Sequence, residues 1–323
     1  MMSKIIKDCI YGHIMIPPLC QAFMDVPEFQ RLRRIRQLGM AHYAYPSAVH
    51  TRFEHSLGVM HLAGKMVDQL RNYAVISDHR RSLIQLAGLY HDIGHFAYSH
   101  LFDAFLSKVN LEDSPEIFKH KDHEERSLYF LRKVNNRLKL LDSEEETFVI
   151  NAIQGHVPDG HPSYLYQIVC NNLCGIDVDK LDYLRRDSYH SGLPGFESDY
   201  IIFNAIVDPE GNIAFRKKAY NDVRDVFITR TRMFEKVYQH HTARKMDKIH
   251  FCLLKRLGPD LFQYGDKTDD YNIETLIRNH EDLAELVNDM ECRILDHNCE
   301  HCQEYTPVKS VPNSGAIDRV RFI

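Results

Sequence analysis

The chain of 323 residues has no run approaching the roughly 18 uninterrupted apolar residues that a membrane-spanning helix needs, so no membrane partner is expected. Its opening stretch, MMSKIIKDCIYGHIMIPPLC, lacks the apolar centre of a secretory leader and carries Lys4, Lys7 and Asp8 instead. An excess of basic charge is missing too. Against 45 Asp and Glu stand 40 Lys and Arg, a formal net charge of −5, so nucleic acid is not expected as the main partner. Strand signals are few, and internal repeats and low-complexity tracts are absent. With 44% hydrophobic and 26% charged residues, the composition suits a packed core rather than disorder. The 8 cysteines, without a leader, read as reduced thiols of a soluble intracellular protein, with nucleus and cytoplasm undistinguished.

Helical periodicity dominates what is there. Val59, Leu62, Ala63, Met66, Val67 and Leu70 form one stripe that begins a turn after His55. Leu83, Leu86, Ala87 and Tyr90 form a second, with Ser77 and Asp78 as caps and Gly94 as a stop. EERSLYFLRKVNNRLKLL is a third amphipathic stretch, and Asp222 to Leu257 reads as one long helix. AIVDPEGNIAF (205–215) is the best hairpin signal, two apolar runs around a turn. The expected architecture is mainly α, with a small β-hairpin excursion. Residues 303–323 read as a loosely held tail.

Three histidines and an aspartate crowd into HDIGHFAYSH (91–100). His55 sits on the inward stripe of its helix, and alone it would be an ordinary core histidine. His91 and Asp92 close the next helix, where a distorted last turn would let neighbouring side chains converge. In GIDVDKLDYLRRD (175–187), Asp179, Tyr183 and Asp187 share a helical face while Leu181 and Leu184 turn inward. Two histidines and two aspartates make a donor set suited to Mn, Fe, Mg or Zn.

In this order, His55, His91-Asp92 and Asp179 resemble the H…HD…D signature of the HD-domain metal-dependent phosphohydrolases. The surrounding blocks GHIMIPPLCQAFMDVPEFQRLRRIRQLG, HTRFEHSLGV, AGLYHDIGHFAYSH, HKDHEERS, GIDVDKLDYLRRD and VYQHHTARKM narrow the likeness. Together they resemble the catalytic HD domain of the sterile-alpha-motif and HD-domain deoxynucleoside triphosphate (dNTP) triphosphohydrolases. The resemblance runs from about Lys4 to His250. It implies an HD helical bundle over 1–260, a helical extension of the same unit over 261–302, and hydrolysis of a dNTP at the α-phosphorus to deoxynucleoside and tripolyphosphate. A divalent ion suits that chemistry, since it activates water near neutral pH and offsets phosphoryl charge.

By the same resemblance, His95 and His100 face the substrate phosphates, and His100 with Asp103 behind it donates the proton to the leaving oxygen. His123 contacts phosphate, while Arg52, Lys180 and Arg230 supply phosphate-binding cations. Gln37, Leu38 and Asp187 meet the sugar, Tyr183 packs beneath it where a 2′-hydroxyl would lie, and Tyr238 and Gln239 close the base end. Phe234 departs from the family, which commonly has a histidine there.

Arg31, Arg33, Arg34 and Arg36 read from sequence as the charged face of an amphipathic helix over 25–39, solvated or salt-bridged. The resemblance implies more: Lys4, Asp25, Gln30 and Arg33 match a guanine-nucleotide activator site between subunits, and Arg216 and Lys218 match cations for a second activator, GTP and a dNTP being the implied pair. A homo-oligomer, dimer or tetramer, is expected. Ile201 and Ile202 stand where the family has basic residues, and the C-terminal region is short, so a smaller constitutive oligomer is the rival. Cys292, Cys299 and Cys302, with His297 and His301 nearby, allow a zinc clip or a plain helix end. Two other functions compete with the dNTP reading: an HD phosphohydrolase acting on another nucleotide, and a catalytically silent nucleotide-sensing scaffold.

Overall fold

A computed structural model of the protein describes residues 4–292 and 314–323. The chain opens with an antiparallel hairpin, β1 (Lys4–Asp8) and β2 (Gly12–Ile16), then α1 (Pro18–Met24) and α2 (Pro27–Gln30). The helical body follows: α3 (Arg52–Leu70), α4 (Asp78–Tyr90), α5 (His100–Leu106), α6 (Glu116–Lys119), α7 (His123–Leu138), α8 (Ser143–Gln154), α9 (Val178–Ser191) and α10 (Ser198–Phe203). A second hairpin, β3 (Ala205–Val207) and β4 (Ile213–Phe215), separates these from α11 (Tyr220–Met233), α12 (His241–Leu257), α13 (Asp270–Asn279) and α14 (Ala284–Glu291). The architecture is mainly α, as expected. The hairpin at 205–215 forms; the one at the N-terminus was hidden by its turn, DCIYG, and by exposed alternate residues such as Ile5 and Met15.

α3 is the spine, packed along α4 and α9. Its stripe from Val59 to Leu70 is buried, and at its N-terminus the Glu54 carboxylate accepts from the Thr51 amide at 3.3 Å. α4 starts at the expected cap, with the Ser77 hydroxyl accepting from Arg80 N, and ends at Tyr90, so His91 and Asp92 lie in the turn beyond. There the chain passes so close to α7 that a Cβ on Gly94 would stand 2.1 Å from the His123 carbonyl oxygen. The stop read from Gly94 is thus a packing demand as much as a helix ending.

Three expectations need correction. The single helix over Asp222–Leu257 is broken: α11 ends at Met233, a π-helical turn spans Phe234–Tyr238, and α12 starts anew at His241. A π-turn places an extra residue in the helical path and turns the following side chains; here it delivers Tyr238 to the central cavity. Residues 25–39 are not one amphipathic helix either. α2 is followed by a 3-10 turn at Arg31–Arg34, and Arg36 then bridges to Thr51. Finally, the tail is docked from Ser314 on: Phe215 N donates to Arg321 O and Ile323 N to Phe215 O, both at 2.9 Å, beside β4. Cys299 and Cys302 fall outside the described residues; Cys292, at the end of α14, is exposed.

Candidate active site

Four side chains from three elements converge below α3. His55 Nε2 lies 3.2 Å from His91 Nε2 and 3.1 Å from Asp179 Oδ1, and His91 Nε2 lies 3.3 Å from the same carboxylate. Asp92 joins at 3.5 Å from His55 and 3.6 Å from His91. The outer nitrogens fix the tautomers. His91 Nδ1 faces the Gly88 carbonyl at 2.8 Å, which can only accept, and His55 Nδ1 faces Asp182 at 2.8 Å. Neutral rings held this way point two lone pairs at each other, an arrangement that a cation between them relieves. Bonds of about 2.1 Å would separate the nitrogens by about 3.0 Å at a right angle and about 3.4 Å at a tetrahedral one. The observed spacing falls between, so the residues fit a divalent ion. The surrounding charge is negative: burial opposes charge on His55, but Asp179 and Asp182 outweigh it and hold the imidazole up at about 10. The centre thus favours a positive charge, which a bound cation supplies in place of the ring proton.

Asp182 was not singled out in the sequence, although it lies three residues after Asp179 and four before Arg186. Its carboxylate is fully buried, accepts from His55, and takes Arg186 Nε and Nη2 at 3.0 Å each. Arg186 in turn donates to Asp8 at 2.8 Å, tying the first hairpin to the centre. α3 comes so near that a Cβ on Gly58 would sit 1.9 Å from Asp182 Oδ1.

The loop from Ile93 to Ser99 carries His95 and leads into α5 at His100, and arginines hold it. Arg31, buried rather than solvated, donates to the carbonyls of Ile93, His95 and Thr268. Tyr98 and Ser99 both take positive φ, 61° and 57°, a strained conformation for residues with side chains. It is stabilised from several sides. Asp270 accepts from Tyr98 N at 2.9 Å, while Ser99 Oγ donates to Arg36 O and accepts from Arg52 Nε, each at 2.9 Å. Arg34 and Arg36 pair with Asp269 and Glu274. Arg52 also grips Asp92, whose acidity is set by burial against, and Arg52 and His91 for, its charged form, which prevails.

His95, His100 and His123 form a cluster of rings, with His95 stacked on His123 at 3.9 Å. His95 is fully buried and neither ring nitrogen has a hydrogen-bond partner; burial and Arg52 keep it neutral. Asp103, expected behind His100, stands 3.9 Å from it and instead accepts from His123 Nδ1 at 2.7 Å. The reason is Arg126, unremarked in the sequence, which is fully buried and pulls Asp103 toward α7.

A cavity of about 420 Å³ opens over these groups. Gln37, Tyr183, Asp187, Phe234, Tyr238 and Gln239 are among its lining residues, as are Leu38 and Arg52. Asp187 is held at both oxygens, by His50 Nε2 at 2.8 Å and by the Tyr238 hydroxyl at 2.7 Å. Gln37 Oε1 is buried without a partner. Lys180 and Arg230 do not line the cavity: Lys180 turns back to Asp177 at 2.8 Å.

The residues matched to activator sites lie apart. Lys4 pairs with Asp25 at 3.2 Å, and Gln30 accepts from Arg33 Nε at 2.8 Å while its amide reaches the Met24 carbonyl next to Asp25. Arg216 donates to the Tyr73 hydroxyl, and Lys218 lies over the Phe203 ring. Ile201 and Ile202 are buried in α10, so the apolar pair serves the core.

Fold and site together have the form of an HD domain, and residues 52–187 match the family model described as HD domain. Within that class the chain is 34% identical, over 253 residues, to the deoxynucleoside triphosphate triphosphohydrolase SAMHD1 homolog of Dictyostelium discoideum, covering 76% of this chain and 48% of that protein. The human deoxynucleoside triphosphate triphosphohydrolase SAMHD1 is 34% identical over 323 residues, covering 90% of this chain and 50% of that protein. An HD domain-containing protein of Acanthamoeba polyphaga mimivirus is 34% identical over 319 residues, covering 92% and 63%. The chain spans about half the length of the triphosphohydrolases it matches. Among the described residues, no helix is long and apolar enough to cross a membrane.

Proposed function

We propose that this chain hydrolyses dNTPs at the α-phosphorus, releasing deoxynucleoside and tripolyphosphate. One observation carries the reading: of the two-His, two-Asp centre, His55, Asp92 and Asp179 line a nucleotide-sized cavity that Tyr183, Asp187, Gln37 and Tyr238 also line, with His91 packed against them. The names of the relatives support the same substrate class.

His55, His91, Asp92 and Asp179 would hold the divalent ion, of which Mn, Fe, Mg and Zn all suit the donors. When bound, such an ion acidifies water and offsets charge on phosphoryl oxygens. Arg52 and the unpartnered nitrogens of His95 meet phosphate. Asp103 orients His123 through Nδ1, which leaves Nε2 as the nitrogen that can hand a proton to the leaving 5′ oxygen when the ring is an imidazolium; His100, more exposed than His123, serves phosphate binding. Lys180 and Arg230 reach phosphate only by swinging inward. Asp187, with Gln37 and Leu38 beside it, accepts from the sugar 3′-hydroxyl. The Tyr183 ring, 6.4 Å from that of His55, fills the space a 2′-hydroxyl would need, and Gln239 with Tyr238 bounds the base. The paired faces at Lys4, Asp25, Gln30 and Arg33, and the cations Arg216 and Lys218, are activator-site candidates in a homo-oligomer.

The test is incubation with each dNTP and NTP plus Mn or Mg, with products resolved by ion-pair chromatography. Deoxynucleoside and tripolyphosphate from dNTPs, absent with NTPs and lost in Asp179→Ala, support the proposal. Faster turnover of ribonucleotides would move it to another nucleotide substrate. Size exclusion with GTP plus dATP tests activation, which an unchanged elution volume removes.

A further inference from the structure

Behind the sugar wall, on the outer side of α9, a second group of donor side chains comes together. Cys9 lies in the turn of the first hairpin, Glu54 in the first turn of α3, and His190 in the last turn of α9. One ligand atom from each lies within 4.8 Å of the other two, and Cys9 Sγ is 3.7 Å from His190 Nε2. Three elements distant in sequence thus present a thiol, an imidazole and a carboxylate to one point. Cys9 is exposed and the other two are partly so, which leaves the point open to ions from solvent.

The framework is rigid where it matters. Asp8 Oδ1 accepts from Ile10 N at 2.8 Å and Tyr11 N at 2.9 Å, fixing the turn that bears Cys9, while its other oxygen is bound by Arg186 of α9. Ser47 Oγ donates to the His190 carbonyl at 2.6 Å, and the His190 ring stacks on buried His50 at 4.3 Å. Glu54 Oε1 accepts from Thr51 N and Thr51 Oγ1, both at the long distance of 3.3 Å, so its carboxylate can turn to a stronger partner.

From this arrangement we infer that Cys9, Glu54 and His190 form a binding site for a thiophilic divalent cation, zinc in the first instance. Zinc–sulfur and zinc–nitrogen bonds of about 2.3 and 2.1 Å meeting at a tetrahedral angle place the two atoms about 3.6 Å apart, close to the spacing observed. The chemistry separates this reading from a reactive thiol–imidazole pair. A nucleophilic cysteine needs surroundings that favour thiolate, whereas burial, then Asp8, with Glu54 adding, pushes the Cys9 thiol up. The same negative neighbours favour a cation that displaces the thiol proton on binding. Three protein donors with a fourth position open to water describe an exchangeable ion, not a closed structural site. The site also borders the cavity: His190 stacks on His50, and His50 holds Asp187, so an ion here bears on the wall that faces the sugar.

The test uses the full chain, reduced with a non-thiol reductant, and cobalt(II) alone as the probe. A cysteinate-to-cobalt charge-transfer band in the near ultraviolet, saturating within two equivalents, one of them for the centre in the cavity, and erased by zinc, is expected. It must survive Asp179→Ala, which disables the centre in the cavity, and the combined Cys292→Ser, Cys299→Ser, Cys302→Ser chain. It must vanish in Cys9→Ser, and His190→Gln must weaken zinc binding more than about tenfold. A chain with no such band, a band that persists in Cys9→Ser, or one lost with the C-terminal cysteines overturns the inference.

Discussion

Replacing Asp182 by asparagine removes one charge and no volume, and the structure says where the loss falls. The carboxylate accepts three bonds, one from His55 Nδ1 and two from Arg186. An amide offers one acceptor oxygen, so its NH2 must face either Arg186 or His55. Facing Arg186, it sets donor against donor in a fully buried place. Facing His55, it forces the ring into the tautomer with hydrogen on Nε2, which points into the metal centre and blocks ligation. Losing one partner of a buried ion pair costs about 3–5 kcal/mol; Arg186 keeps Asp8, so about 3 kcal/mol of stability is the expected loss. Removing the carboxylate behind a metal-bound imidazole typically lowers affinity about 10- to 100-fold, or about 1.4–2.7 kcal/mol. Urea melts with chelator present read the first quantity, and calorimetric titration with Mn reads the second. An Asp182→Asn chain that binds Mn as tightly as wild type would refute the claim that Asp182 sets the His55 tautomer.

Gly94→Ala is expected to destabilise the fold by at least about 2 kcal/mol, because the new methyl meets main-chain atoms of α7 at 2.1–2.8 Å and neither chain can yield; thermal melts check it. Tyr238→Phe frees one oxygen of Asp187 and should raise KM for a dNTP while leaving Mn affinity unchanged, since Tyr238 touches no group of the metal centre; steady-state kinetics decide. Two buried groups against Tyr98 give opposed pH dependences. Burial raises Asp270 to about 7, so the folded state gains stability, about 4 kcal/mol, as pH falls from about 7 to the unfolded value near 4. Burial lowers His250 to about 4, so stability of about 3 kcal/mol is lost as pH falls from its unfolded value near 6.5. The two nearly cancel in wild type, and Asp270→Asn should expose the His250 loss as a steeper decline between pH 6.5 and 4 in urea melts.

The helices that carry the site were legible because their inward stripes are regular: α3 and α4 follow the periodicity from Val59 and Leu83, and the cap at Ser77 sits where a side-chain acceptor precedes an apolar run. His55, His91 and Asp179 lie within ligating distance of one another, with Asp92 beside them at 3.5 Å from His55. Residues that act through others were not legible. Asp182 and Arg126 look like surface charges on amphipathic helices until the packing of α3 and α7 encloses them, and periodicity does not distinguish a solvated arginine from Arg31 under the histidine loop. The break at Phe234–Tyr238 was hidden for a related reason: no glycine or proline marks it, and it arises where the π-turn brings Tyr238 to Asp187. The exchange of Asp103 from His100 to His123 likewise depends on Arg126, a residue of another helix.

Which phosphorus water attacks decides between release of tripolyphosphate and every other outcome, and heavy-oxygen water reports it. With dGTP as substrate and the metal-loaded protein, mass spectrometry of the products should show one labelled oxygen in tripolyphosphate and none in deoxyguanosine. Label in a monophosphate or in inorganic phosphate, with pyrophosphate or a diphosphate as the other product, would contradict the account.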